Sequence, residues 1–152
     1  MQINKLLKFM DGYVEYGVFA IATMGMFGSL YFSEVLKYPP CLLCWWQRIF
    51  MYPLVAIFAV GILRKDRAVV YYGLPLAAVG VPMAFYQSLL QWGVLKEEVI
   101  NCTLNSNVSC GTANFNLLGF INIPFLSFVA FSAILLLMIL RIYLLRKQTS
   151  TK

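Results

Sequence analysis

The sequence predicts an all-α integral membrane protein: a four-helix transmembrane bundle with both termini cytoplasmic and two extracytoplasmic loops that each carry a cysteine pair. Three observations predict it. Of the 152 residues, 61% are hydrophobic, 16% aromatic and 12% charged, whereas a soluble domain carries about 45–50% apolar and about 25% charged residues. Four apolar runs reach the roughly 20 residues that a helix needs to cross a hydrocarbon core of about 30 Å. The basic residues gather between alternate runs. A mean hydropathy of +0.77 and the aromatic content exclude a disordered chain, and a single membrane domain over residues 1–152 is expected.

The spans are predicted at about 13–32, 44–63, 68–92 and 123–140. The first follows Lys5 and Lys8 as a signal peptide would, but it is too long, holds Glu15 near its start and ends without a small-residue cleavage site, so it reads as a span. The second and third are separated only by Arg64, Lys65, Asp66 and Arg67, a connection so short that the two helices must be antiparallel neighbours. Pro53, Pro75 and Pro82 lie within spans, where membrane helices tolerate proline. Gly25 with Ser29, Gly73 with Ala77 and Gly80 with Ala84 are small residues four apart, a spacing that lets helix backbones approach closely.

Lys5, Lys8, Arg64, Lys65, Arg67, Arg141, Arg146, Lys147 and Lys152 fall on one side of these spans, nine of the twelve basic residues. That side is the cytoplasm by the positive-inside rule, so the net charge of +6 sets topology and a nucleic-acid partner is not expected. The outer side keeps a short loop from about Ser33 to Pro40 and one of about 30 residues from Gly93 to Asn122, and loops that long are usually functional or disordered.

All four cysteines lie on the outer side, where thiols pair as disulfides. Their spacing favours Cys41 with Cys44 and Cys102 with Cys110, and exchange between the pairs is open to a mobile loop. Pro40 is expected to open the second helix and to place Cys41 and Cys44 in its first turn. Unpaired N–H groups and the helix dipole there favour a thiolate. Cys41, Cys44 and Arg48 fall at i, i+3 and i+7 on one face, and in a chain without histidine Arg48 is the helical cation placed to hold that thiolate. A purely structural disulfide is the alternative, but closing a four-residue loop stabilises little. Cys-x2-Cys could form half of a zinc site, yet Cys102-x7-Cys110 is a poor second half, so no metal is expected.

Two dithiol pairs on one face, one in a polar loop and one at the hydrocarbon edge, form a relay from a soluble partner to a lipid-soluble electron acceptor. A quinone fits that requirement. Trp45, Trp46, Tyr52, Tyr86 and Trp92 cluster near the same boundary as an aromatic belt, and the sequence does not choose which of them line an acceptor pocket. Gln47, Gln87 and Gln91 lie at similar depth, where an amide bonds between helices or touches a ligand.

Pro40-Cys41-Leu42-Leu43-Cys44-Trp45-Trp46-Gln47-Arg48, followed by Met51-Tyr52-Pro53-Leu54, closely resembles the signature of the DsbB family of disulfide-bond formation proteins, in particular its short-loop BdbC-type branch. Leu118-Gly119-Phe120 and Pro124-Phe125-Leu126-Ser127 extend the resemblance into the last helix. The resemblance implies a quinone-dependent thiol oxidase, with ubiquinone or menaquinone as cofactor, in the bacterial plasma membrane. It also implies a DsbA-like, thioredoxin-fold extracytoplasmic partner; a monomeric chain is expected. On matching positions, the partner would attack Cys102, Cys110 would exchange with Cys41, and Cys44 would face the quinone, with Arg48, Gln47 and Gln87 at the quinone site.

Two departures stand out. The loop pair is only seven residues apart, and Gln87 stands where many relatives carry histidine, so a proton cannot be titrated there. Two other readings compete with the oxidase. In a vitamin K epoxide reductase-like protein the loop cysteines precede the CxxC, whereas here they follow it. A four-helix scaffold would use its disulfides only to hold its loops.

Overall fold

In a computed structural model the backbone of residues 2–37, 40–95 and 123–150 is described, with side chains for 13–37, 40–95 and 123–147. Four helices account for nearly all of it: α1 (Gln2–Leu30), α2 (Leu42–Arg64), α3 (Val69–Gln91) and α4 (Ile123–Ser150). Each contains a stretch long and apolar enough to cross a membrane, at Tyr13–Val35, Leu42–Arg64, Val69–Gln91 and Ile123–Lys147. No strand occurs among the described residues. The protein is a four-helix membrane bundle.

The helices at the two ends of the chain outrun the apolar runs that locate them. Hydropathy finds the part of a helix that suits lipid, whereas the hydrogen-bonded ladder continues until a residue breaks it. No proline interrupts Gln2–Tyr13 or Arg141–Ser150, so α1 begins eleven residues before the expected start at Tyr13 and α4 runs ten past Leu140. At its other end α1 passes into a five-residue π-helical segment, Tyr31–Val35, closed by Leu36 N–H donating to Tyr31 O at 3.2 Å. The outer loop expected from Ser33 therefore starts only at Leu36, and Lys37 turns the chain with a left-handed φ of 54°.

Between α2 and α3 the polar residues make the turn. Lys65 adopts the left-handed conformation that ends α2, while Asp66 N–H donates back to Gly61 O at 2.9 Å, satisfying a terminal carbonyl as helix C-caps do. The Asp66 carboxylate then accepts from Ala68 N–H at 2.8 Å and starts α3.

In the interior, Val18 and Ala22 of α1, Leu54 and Phe58 of α2, Ala77 and Ala84 of α3, and Phe131, Ile134 and Met138 of α4 are fully buried. Helices packed in lipid gain from close contact more than from leaving water, and the expected small residues supply it. A Cβ on Gly73 would lie 2.7 Å from Phe58 and 2.8 Å from Met138, so this glycine admits neighbours from α2 and α4 at once. Gly80 is more restrictive, because the Phe131 ring occupies the place a side chain would take. Large apolar side chains such as Met24, Leu63 and Leu136 remain on the outside for lipid.

At the end of the bundle opposite the cysteines, Arg141 donates to Glu15 at 3.1 Å and joins α4 to α1. Arg141 was counted above with the charges facing the cytoplasm. It is instead buried, at 1% exposure, with Glu15 at 8%. A charge at hydrocarbon depth needs such a partner.

Replacing Gly80 by valine should lower the thermal midpoint in detergent by an amount matching about 1–3 kcal/mol of overpacking. Gly28→Ala, where a Cβ meets nothing within 4 Å, should leave the midpoint unchanged or raised. Equal midpoints for the two variants would show that the α3–α4 contact is not tight.

Candidate active site

The dithiol sits where α2 begins. Pro40 and Cys41 precede the helix, and Cys41 is its N-cap, with φ −71° and ψ 170°. This corrects the expectation that both cysteines occupy the first turn: only Cys44 does, as the third residue of α2. The reason is local. With Cys41 extended, its sulfur accepts the Cys44 N–H at 3.4 Å, doing for one orphan donor what a serine or aspartate oxygen does at an ordinary N-cap. One cysteine therefore caps the helix that carries the other.

Cys41 and Cys44 are free cysteines with their sulfurs 2.8 Å apart. Cys41 is buried, at 3% exposure, in a small cluster with Leu43 and Leu90, against which Cys44, Met83 and Tyr86 pack. The hydrogen bond with Cys44 and then burial push the Cys41 thiol up from its ordinary range. Cys41 thus keeps its proton through neutral pH.

Gln87, from α3, reaches both sulfurs. Its Nε2 donates to Cys41 Sγ at 3.2 Å and to Cys44 Sγ at 3.2 Å, while its Oε1 accepts from Gln47 Nε2 of α2. The structure therefore brings Cys41, Cys44, Gln47 and Gln87 together, and both ends of the Gln87 amide are engaged.

Arg48, on the same helix as Cys44, is anchored to α1. Its Nε donates to Ser29 Oγ at 2.8 Å and one terminal nitrogen to Ser29 O at 3.0 Å, with the guanidinium 5.4 Å from the Trp45 ring centre. The hydrogen bonds to the sulfurs come from Gln87, not Arg48. Ser29 was read only as a packing residue, and nothing in its local sequence marks it as the anchor of an arginine nineteen positions later.

The aromatic cluster divides in the same way. Trp45, Trp46 and Trp92 are exposed, as belt residues are. The Tyr52 and Tyr86 hydroxyls are buried without a hydrogen-bond partner among the described residues. Cys102 and Cys110 lie outside the described residues.

Fold and site together define a class: a multi-span helical membrane protein with a CxxC pair at the mouth of a span, its first cysteine capping the helix. The chain belongs to the disulfide bond formation protein DsbB family, whose family model matches residues 14–141. It is 48% identical over 118 residues to probable disulfide formation protein C 2 of Bacillus anthracis, covering 78% of this chain and 82% of that protein. It is 41% identical over 125 residues to disulfide bond formation protein C of Bacillus subtilis strain 168, covering 82% and 89%. Over 130 residues it is 41% identical to a probable disulfide formation protein of Deinococcus radiodurans, covering 81% and 84%. No solved structure matches it. Disulfide formation at a membrane is the chemistry of this family, and the chain is a disulfide oxidoreductase of that kind.

Brief treatment of the reduced protein with iodoacetamide at pH 7 should modify Cys44 and spare Cys41, because thiolates react and Cys41 is both protonated and buried. Peptide mass mapping reads the ratio. Equal labelling of the two would contradict the assigned proton position.

Proposed function

We propose that the chain is a quinone-dependent thiol oxidase of the bacterial plasma membrane that reoxidises a thioredoxin-fold, extracytoplasmic disulfide-forming partner. Both termini face the cytoplasm, following the basic residues gathered on that side, and the dithiol end of the bundle faces outward. The observation that carries this reading is the Cys41–Cys44 pair at the mouth of α2: two sulfurs close enough to exchange electrons as a unit, at the boundary between water and lipid.

The steps are successive disulfide exchanges. The partner's dithiol reduces the Cys102–Cys110 disulfide, with Cys102 as the sulfur attacked. Cys110 then attacks Cys41, and the electron pair of the Cys41–Cys44 bond leaves on Cys44; Cys102 attacks Cys110 of the resulting mixed disulfide, which re-forms the loop disulfide and leaves Cys41 and Cys44 as thiols. A ubiquinone or menaquinone held at this end of the bundle would take up the two electrons and two protons as the Cys41–Cys44 disulfide is restored.

The residues present suit such a group. The Tyr86 hydroxyl, on a side chain packed at the dithiol cluster, is a buried donor without a partner among the described residues, and a quinone oxygen is an acceptor. Arg48, fixed by Ser29 and stacked over Trp45, holds a guanidinium at the same end of α2. Gln47 and Gln87 complete the proposed quinone site, their amides bonded to each other and, through Gln87, to the sulfurs. The chain acts as a monomer in this scheme, since every step is assigned to residues of one copy.

With purified protein, a reduced thioredoxin-fold dithiol and a soluble quinone under anaerobic conditions, quinone absorbance should fall only when the CxxC is intact. Cys44→Ser should abolish that loss, and Arg48→Ala should raise the quinone KM about tenfold, the size of one charge-assisted hydrogen bond. Full turnover in Cys44→Ser would overturn the mechanism.

A further inference from the structure

Gln47 and Gln87 are polar side chains inside membrane spans, only 8% and 1% exposed. Buried amides at such depth must be satisfied, and in the structure these two are satisfied with Gln47 as the donor and Gln87 as the acceptor. Gln47 Nε2 donates to Gln87 Oε1, so the Gln87 NH2 group has to face the other way, toward the sulfurs. Reversing Gln87 would set one NH2 group against another unless Gln47 reversed too. The amide pair thus has a polarity, and the donor end meets the dithiol, 3.2 Å from Cys41 Sγ and 3.2 Å from Cys44 Sγ.

We propose that Gln87 is a catalytic residue of disulfide exchange at the Cys41–Cys44 pair, a neutral hydrogen-bond donor to whichever sulfur bears the negative charge, and that Gln47 is the positioning residue that fixes its direction. The proposal rests on the reading of Cys41–Cys44 as the exchanging pair, but not on a quinone.

In the exchange step a thiolate attacks one sulfur of the oxidised pair. A bond forms between the incoming sulfur and that cysteine, the Cys41–Cys44 bond breaks, and its electron pair departs on the other cysteine. Attack at Cys41 puts the charge on Cys44, and attack at Cys44 puts it on Cys41. A donor equidistant from both serves either case without moving. Hydrogen bonds to charged groups are the strong ones in a low-dielectric site. An amide has no proton to lose over the working range, so this donor is present at every pH. The other polar groups at the pair are Tyr86, which packs against the same cluster, and Arg48, one turn along α2 from Cys44, whose hydrogen bonds go to Ser29.

The test uses the full chain in detergent with Cys102 and Cys110 replaced by serine, reduced, and free of quinone and partner. The rate of iodoacetamide alkylation is followed against pH. Gln87→Leu, which places an ordinary lipid-compatible side chain in the span, should move the profile about one pH unit higher and slow alkylation at pH 7 about tenfold. Gln47→Met should shift it in the same direction. The double variant should be no slower than Gln87→Leu, because Gln47 acts through Gln87.

An unchanged profile in Gln87→Leu would overturn the donor role, and additive losses would overturn the positioning role. In the unsubstituted chain, the Gln87 side-chain amide resonances should move over the same pH range as the alkylation profile. Static resonances would overturn the proposal even if no variant folded. Quinone reduction is measured separately, so failure of the quinone reading and failure of this one are distinguishable.

Discussion

A polar group at hydrocarbon depth has no water to bond, so it must find its partner on another helix, and this constraint organises the bundle. Three such junctions join three pairs of helices. Gln87 of α3 bonds Gln47 and both cysteines at the start of α2. Arg48 of α2 bonds Ser29 of α1. Arg141 of α4 bonds Glu15 of α1. The fourth seam, α3 against α4, has glycine instead, with the Phe131 ring seated over Gly80. Contacts that fix the register of neighbouring helices are thus spread around the whole ring.

The site follows from two of these junctions. Cys41 caps α2 through its sulfur and Cys44 lies three residues on, so helix geometry alone puts the two sulfurs side by side. What helix geometry does not provide is a stable place for the charge that exchange creates. The amide of Gln87 reaches both sulfurs from across the α2–α3 interface, and Arg48 is held one turn along α2 from Cys44 by its hydrogen bonds to Ser29 of α1. Redox sulfurs, amide donor and guanidinium therefore come from three functions of one bundle end: capping, interhelical bonding and anchoring. A histidine at position 87 would add a titratable proton. Glutamine keeps the donor and drops the titration.

Position along the membrane normal matters as much as the contacts. The dithiol lies at the mouth of a span, with exposed Trp45, Trp46 and Trp92 around it, the ring chemistry that suits the water–lipid boundary. The Glu15–Arg141 pair sits at the other end of the bundle, so the buried charge is kept away from the sulfurs.

Much of this is legible in the sequence, because it depends on residues close together in the chain. Apolar run length fixes the number of spans, the turn at Arg64–Arg67 makes α2 and α3 neighbours, and Pro40 through Arg48 mark the redox helix and its family. The small residues at 73 and 80 also announce close packing. Other features depend on which helix faces which, and no local pattern encodes that. Gln87 and Gln47 were recognisable as polar residues at one depth, but their mutual orientation, and hence which end meets the sulfurs, needs α2 and α3 packed together. Arg48 pairs with a serine on α1 that carries no local mark, and Arg141, readable as one more interfacial charge, is buried because α1 places Glu15 opposite it. The sequence by itself determined how many helices cross the membrane and where the thiols lie along the second. Only the tertiary structure decided which side chains hold those thiols, because hydrogen bonds between helices depend on rotations and registers that one-dimensional periodicity leaves free.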